Sequence, residues 1–240
     1  MKKTLSIVMA IVMVASLIAS FGCVNASADT AYAVLDHAET LVYGSTITRD
    51  IYVKTDASTA NQQVYVHYDK AAGQAWADEQ ADYYKTLSDG SKIWKATITS
   101  SEDNTEFVIK YVANGTTIWD NNNGQNYSGN NTLGCAPVVA VRPVHYSYYF
   151  TSFISAKLQN YGYQKNVFVR YTCNGWKTYT DVELTYSSTN ADGTENWSGS
   201  VTRTYDCSDF QYCIGYEVNG QTYWANNFGD NYDWYFIARD

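Results

Sequence analysis

The chain has 240 residues, 45% of them hydrophobic and 17% charged, with only 2 prolines, a balance that excludes a disordered tail and a collagen-like chain. Asp and Glu outnumber Lys and Arg by 24 to 16, so the net charge is −8, and a surface of that sign repels phosphate backbones and argues against nucleic acid as a partner. The length admits one domain or two, and the 23 tyrosines require an explanation that depends on where they fall.

Residues 1–28 read as a signal peptide. Lys2 and Lys3 precede an apolar stretch from Leu5 to Phe21, and Ala26-Ser27-Ala28 supplies small residues where a signal peptidase cuts. The stretch is short for a membrane span, and no later segment is apolar enough to make one. The expectation is a secreted, extracellular protein with no membrane span after cleavage. Cell-surface association through lipidation of Cys23 is the alternative, although Ser20-Phe21-Gly22 lacks the residues that usually precede a lipidated cysteine. In an oxidising compartment Cys135, Cys173, Cys207 and Cys213 are candidates for a disulfide, with three pairings open. None of their spacings is C-x₂-C, and His37, His67 and His145 bear no regular relation to them, so zinc is not expected.

Residues 29–40 read as an N-terminal lead-in. After them the dominant period is two. Ile51 and Val53 alternate with Tyr52 and Lys54; Val64, Val66 and Tyr68 with Tyr65 and His67; Phe107, Ile109 and Tyr111 with Val108 and Lys110. Asn114-Gly115 then reads as a type I′ hairpin turn. The same order returns. Val64-Tyr65-Val66-His67-Tyr68 recurs 103 residues later as Val167-Phe168-Val169-Arg170-Tyr171, and Tyr83 and Trp94 recur as Tyr186 and Trp197. YVANGTTIWDNNNGQNY, Tyr111 to Tyr127, recurs 105 residues later as YEVNGQTYWANNFGDNY, Tyr216 to Tyr232, with Asn219-Gly220 as the second hairpin turn. A period near a hundred residues is that of a self-contained domain rather than a solenoid repeat. The expected architecture is all-β: two immunoglobulin-like antiparallel β-sandwich modules in tandem, spanning 41–129 and 143–240. Residues 130–142, which contain Pro137, read as the linker, with Val138-Val139-Ala140-Val141 capable of lying against one module.

Four of the seven tryptophans fall in polar, Gly-punctuated stretches where a ligand could reach them: Trp76, Trp119, Trp176 and Trp224. Trp94 and Trp197, in strand-like surroundings, read as core. A tryptophan beside a run of asparagines suits a glucose ring, because the sugar offers a C–H face to stack on and a rim of hydroxyls to pair, and an Asn side chain both donates and accepts. Such amides also bond to their own loop backbone. Catalysis is not indicated. Glycoside hydrolysis generally needs two carboxyl groups, and the strongest repeated block has Asp120 in one copy and Ala225 in the other. His67 becomes Arg170, and no G-x-S-x-G occurs. The same Ala225 weakens Ca²⁺ binding as a reading of the Asp120 loop, so no metal or other cofactor is expected.

These residues resemble carbohydrate-binding modules of family 21, the starch- and glycogen-binding β-sandwiches of fungal glucoamylases and of glycogen-targeting subunits of protein phosphatase 1. Val64 to Tyr127 and Val167 to Tyr232 carry the resemblance. It implies stacking at Trp119 and Trp224, polar contacts from Asn121, Asn126, Asn226 and Asn231, and a sugar platform at Trp176, with Trp76 as its looser counterpart. Two departures stand out: Val108 and Cys213 occupy a strand position where some members carry tyrosine, and the Trp76 loop differs from that of Trp176. The short basic-Val-x-Phe element that precedes the module in the phosphatase subunits is absent. The implied function is noncatalytic binding of α-1,4-glucans (starch, glycogen, malto-oligosaccharides) by a monomer whose two modules add avidity, beside a separately encoded amylase as one potential partner. The alternatives are an accessory or degenerate glycoside hydrolase and an adhesion module that binds protein.

Overall fold

The structure is a computed structural model that describes residues 31–70, 75–141 and 151–233. The signal-peptide reading of residues 1–28 lies outside the described residues. The first copy contains β1 (Ala33–Tyr43), β2 (Thr46–Thr55), β3 (Gln63–Asp69), β4 (Trp76–Gln80), β5 (Asp82–Thr86), β6 (Lys92–Ser100), β7 (Phe107–Ala113) and β8 (Thr116–Asp120). They form two antiparallel sheets, β1-β2-β6-β5 and β4-β3-β7-β8. The second copy contains β9 (Val138–Val141), β10 (Thr151–Leu158), β11 (Lys165–Thr172), β12 (Thr180–Glu183), β13 (Thr185–Thr189), β14 (Glu195–Thr202), β15 (Gln211–Val218), β16 (Gln221–Ala225) and β17 (Tyr232–Asp233). Its sheets, β9-β10-β14-β13 and β12-β11-β15-β16, repeat the strand order of the first, with β17 added beside β15.

The period-two pattern explains the layering. Val64, Val66, Phe107, Ile109 and Tyr111 face one core with Leu35, Ile51, Val53 and Ile98 of the opposing sheet. Val167, Val169, Tyr212, Ile214 and Tyr216 do the same against Ile154 and Leu158. Each copy therefore closes its own apolar interior between two sheets as a β-sandwich, and each fully buried aliphatic or aromatic side chain contributes about 1.5–3 kcal/mol. Several of the numerous tyrosines are core residues here, Tyr111, Tyr212 and Tyr216 being fully buried. At Asn114-Gly115 φ is 50° and 77°, and at Asn219-Gly220 it is 53° and 74°, the paired positive values of a type I′ turn.

The structure corrects two boundaries. The lead-in of residues 29–40 is largely strand: β1 starts at Ala33 and pairs with β2 along its length. A bulge at Asp36 interrupts that pairing, and the freed Asp36 carbonyl accepts from the amides of Gly134 and Ala136, 3.0 and 3.1 Å away. The linker of residues 130–142 is not a spacer. Its first part lies along β1, with Ala38 N bonded to Thr132 O and Cys135 N to Leu35 O, and Gly134 permits the approach because a Cβ there would run into the Leu35 carbonyl. Its second part is β9, which fills the place in the second copy that β1 fills in the first. Val182 and Tyr186, although they share one sequence alternation with Leu184, lie on different strands. The chain changes sheets between β12 and β13, leaving Leu184 buried and Tyr186 exposed.

Cys173 and Cys207 are joined by a disulfide across a separation of 34 residues. Cys135 is also disulfide-bonded. Cys213, read as a candidate partner, is instead a free, buried thiol, and burial pushes its pKa up to about 11.

Candidate functional site

Trp119, Trp224 and Trp76 are strand residues rather than loop residues, lying on β8, β16 and β4. These are edge strands of the second sheet in each copy. The outward positions of that sheet in the first copy hold one connected group. The His67 ring stacks on Trp76 with centroids 5.2 Å apart and 30° between planes, and meets Trp119 edge-on at 5.5 Å. His67 Nδ1 lies 2.6 Å from Asp78 Oδ1, and Lys110 bonds the other oxygen of Asp78 while its ammonium sits 5.8 Å from the Trp119 ring. Burial disfavours the Asp78 charge, but hydrogen bonds from Lys110 and His67 outweigh it and hold the carboxyl below its ordinary pKa. Asp78 thus fixes the His67 ring between two indoles.

The second copy builds the same group from different residues. Arg170, at the position of His67, donates to both oxygens of Asp181 at 2.7 Å and places its guanidinium 4.1 Å from the Tyr179 ring and 5.1 Å from Trp224. Phe168 supports Trp224 edge-on at 5.6 Å. Gly215, the register partner of both Phe168 and Trp224, is required because a Cβ there would lie inside the Phe168 ring. The first copy has Lys110 at this place, opposite Tyr65 and Trp119.

Tyr179, which the sequence reading does not single out, takes the register place of Trp76. Tyr171 pairs with Thr180 as Tyr68 pairs with Ala77, so the register counterpart of Trp76 is Tyr179, not Trp176. The constant offset of 103 residues from Val64 to Val167 carries Trp76 onto Tyr179 directly. Trp176 sits in the turn beside the Cys173–Cys207 bridge, with φ of 64°. Its amide donates to Thr172 Oγ1 and its indole N–H to Gln211 Oε1, 2.8 Å away. Trp94 and Trp197 are half-buried and pack against the two cores, each meeting a tyrosine edge-on, Tyr83 and Tyr186 respectively.

The asparagines shape the two loops that follow the tryptophans. Asn121 Oδ1 accepts from Gly124 N at 3.0 Å, and Asn226 Oδ1 from Gly229 N at 3.1 Å. Asn122, Asn123, Asn126, Asn227 and Asn231 hold positive φ, which Asn adopts at lower cost than most residues. Asn126 Nδ2 donates to Glu106 Oε2. The carbonyl oxygens of Asn121 and Asn226 each hold the turn through one hydrogen bond, and their Nδ2 groups are the donors these side chains add. Asp120 is structural: it accepts from Leu35 N at 2.8 Å and from the Tyr127 hydroxyl, tying β8 to β1.

One of the replacements between the two blocks changes what the loop touches. Asn123 of the first loop is replaced by Phe228, which keeps the same left-handed backbone at φ 55°. Its ring enters a socket on the first copy, 5.7 Å from His37, 5.3 Å from Tyr52 and 5.9 Å from Tyr84. Lys85 and Asp230 add an ion pair across the same junction at 2.6 Å. The second loop is therefore docked on the first module, and Trp224 is 39% exposed where Trp119 is 47%. Behind the socket His37 is buried. Burial opposes its charge, yet contacts with Asp36 at 2.7 Å and Glu39 at 3.6 Å outweigh this and raise its pKa to about 9.

Residues 153–234 match the family model described as a carbohydrate/starch-binding module of family 21. The chain is 38% identical over 84 residues to protein phosphatase 1 regulatory subunit 3B of Danio rerio, covering 32% of this chain and 28% of that protein. It is 27% identical over 81 residues to glycogen-binding subunit 76A of Drosophila melanogaster, covering 32% of this chain and 12% of that protein. The chain thus spans under a third of the length of these relatives. Among solved structures, the starch-binding domain of Rhizopus oryzae glucoamylase, in complex with β-cyclodextrin and maltoheptaose, is 28% identical, with 42% of this chain and 93% of that one covered and a TM-score of 0.32. The expectation of a secreted, extracellular protein is overturned by the relatives that are protein phosphatase 1 regulatory subunits, which are intracellular glycogen-targeting proteins and not exported ones.

Proposed function

We propose that the chain is a noncatalytic protein that binds α-1,4-glucans through the outward aromatic groups of both sandwiches. The observation that carries this reading is the recurrence, on the same sheet face of each copy, of two aromatic rings around a cation or imidazole anchored by an aspartate: Trp76, His67, Trp119 and Asp78 in one, Tyr179, Arg170, Trp224 and Asp181 in the other. An exposed indole held rigid in this way stacks the C–H face of a glucose ring without first losing rotamer freedom. The amides of Asn121, Asn126, Asn226 and Asn231 lie in the loops just beyond the tryptophans and supply the polar contacts. Starch, in the description of the matching family, and glycogen, in the name of the Drosophila relative, share the α-1,4-glucan chain as their common chemistry.

Each site alone is small and binds weakly. A glucan offers many equivalent sites, so two modules on one chain raise the effective concentration of the second contact. Native affinity gels cast with glycogen, amylose, cellulose or xylan test the reading. Retardation by glycogen and amylose with none by cellulose or xylan supports it; equal mobility in all four gels refutes it.

A further inference from the structure

Beside the docked Phe228 an open cleft lies between the two modules, with a volume of about 500 Å³, the size of a small-molecule site. Its walls are the β5–β6 turn, residues 85–89, from the first module and residues 136–139 and 224–229 from the second. Trp224 is among the residues lining the cleft, which therefore adjoins the aromatic group described above. In the first copy's loop Asn121, Asn123 and Gly124 are exposed, whereas Asn226 is half-buried.

The charges around this cleft are already paired with one another. Lys85 is bonded to Asp230, Asp89 to Lys54 at 3.1 Å, and His37 to Asp36. The other lining residues are neutral, among them the polar Ser88 and Asn226 and the apolar Leu87, Pro137 and Val138. Amide and hydroxyl dipoles over an apolar floor, with no unpaired ion, fit a neutral polyhydroxylated ligand better than a phosphate or a carboxylate.

We propose that this cleft is a glucan subsite assembled from both modules, receiving the hexose units that continue from the one stacked on Trp224. The proposal rests on the α-glucan reading of Trp224 and adds a prediction that reading does not make: the second module's site is longer than the first's and is completed by residues of the first. A glucan in the cleft also bridges both modules, so binding and docking reinforce each other.

Calorimetric titrations of the full chain with maltotriose and maltoheptaose test it. In a Trp119→Ala background, where the second module reports, maltoheptaose should bind about tenfold more tightly than maltotriose. Adding Ser88→Trp, which fills the cleft from an exposed turn, should bring that ratio close to one. Phe228→Asn, which releases the docking, should do the same without adding bulk. In a Trp224→Ala background, Ser88→Trp should leave the ratio of the first module unchanged. A ratio unaffected by both substitutions, with binding still lost in the Trp119→Ala/Trp224→Ala protein, would overturn the composite site and leave the glucan reading standing. Absence of any maltoheptaose binding by the unsubstituted chain would overturn both.

Discussion

Phe228→Asn places in the second loop the residue that the first loop has at Asn123, and it separates the fold of each module from their docking. Phe228 holds φ of 55°, a left-handed conformation that costs a bulky residue about 1–2 kcal/mol and Asn less. Its ring lies within 6 Å of His37, Tyr52 and Tyr84, and burying it there contributes about 3 kcal/mol from area and aromatic contact together. Relief of the backbone offsets about 1 kcal/mol of that loss. The substitution should therefore weaken docking by about 2 kcal/mol, or roughly thirtyfold in the equilibrium between docked and open arrangements. Hydrogen exchange read by mass spectrometry measures this directly. Amides at residues 85–89 and 225–232 should exchange faster, while β3, β7, β11 and β15 at the two cores keep their protection. Unchanged exchange at the junction would refute the role given to Phe228; faster exchange throughout β11 and β15 would mean that the residue supports the second module's own fold instead.

Two further substitutions address the junction and the site. The pKa of His37 is raised to about 9 against an ordinary value near 6.5, so its contribution to stability is fully present below pH 6.5 and is lost as pH rises through 9; thermal unfolding should show a midpoint falling between pH 7 and 10, and His37→Gln should flatten that fall. Gly215→Ala forces a Cβ into the Phe168 ring that supports Trp224, so it should cost about 1–3 kcal/mol in urea unfolding of the second module. With the ring removed by Phe168→Ala, adding Gly215→Ala should cost little more, so the loss in the double variant should fall short of the sum of the two single losses.

Much of the fold is legible in the sequence because local signals agree with the global pattern. Val-x-Val-x-Tyr alternation, Asn-Gly turns and the return of both after about a hundred residues suffice for two all-β modules. The errors have specific causes. β1 escapes notice because its run Asp36-His37-Ala38-Glu39 looks polar, yet the charges pair with one another in a buried position. β9 is only four residues long and follows Pro137, a signature of linkers. Trp176 draws the eye as the partner of Trp76 because it is a tryptophan, whereas strand register selects Tyr179. At the junction the sequence carries almost no signal: Lys85 and Asp230 are 145 residues apart, and the Phe228 socket is assembled from β1, β2 and β5. Within the repeated block the replacements of Asn123 by Phe228 and of Gln125 by Asp230 mark the place.

The central claim is that the two exposed tryptophans bind glucan while leaving the fold to the cores beneath them. Trp224 leaves 39% of its surface open, roughly 90 Å² for a side chain of this size, so covering it with a sugar is worth at most about 2 kcal/mol at 25 cal/mol per Å². Retention of the Trp119→Ala/Trp224→Ala protein on amylose resin, alongside its thermal unfolding, is the most direct measurement. Loss of retention with an unfolding midpoint within a few degrees of the parent is the predicted result, and full retention by the folded double variant would contradict the account.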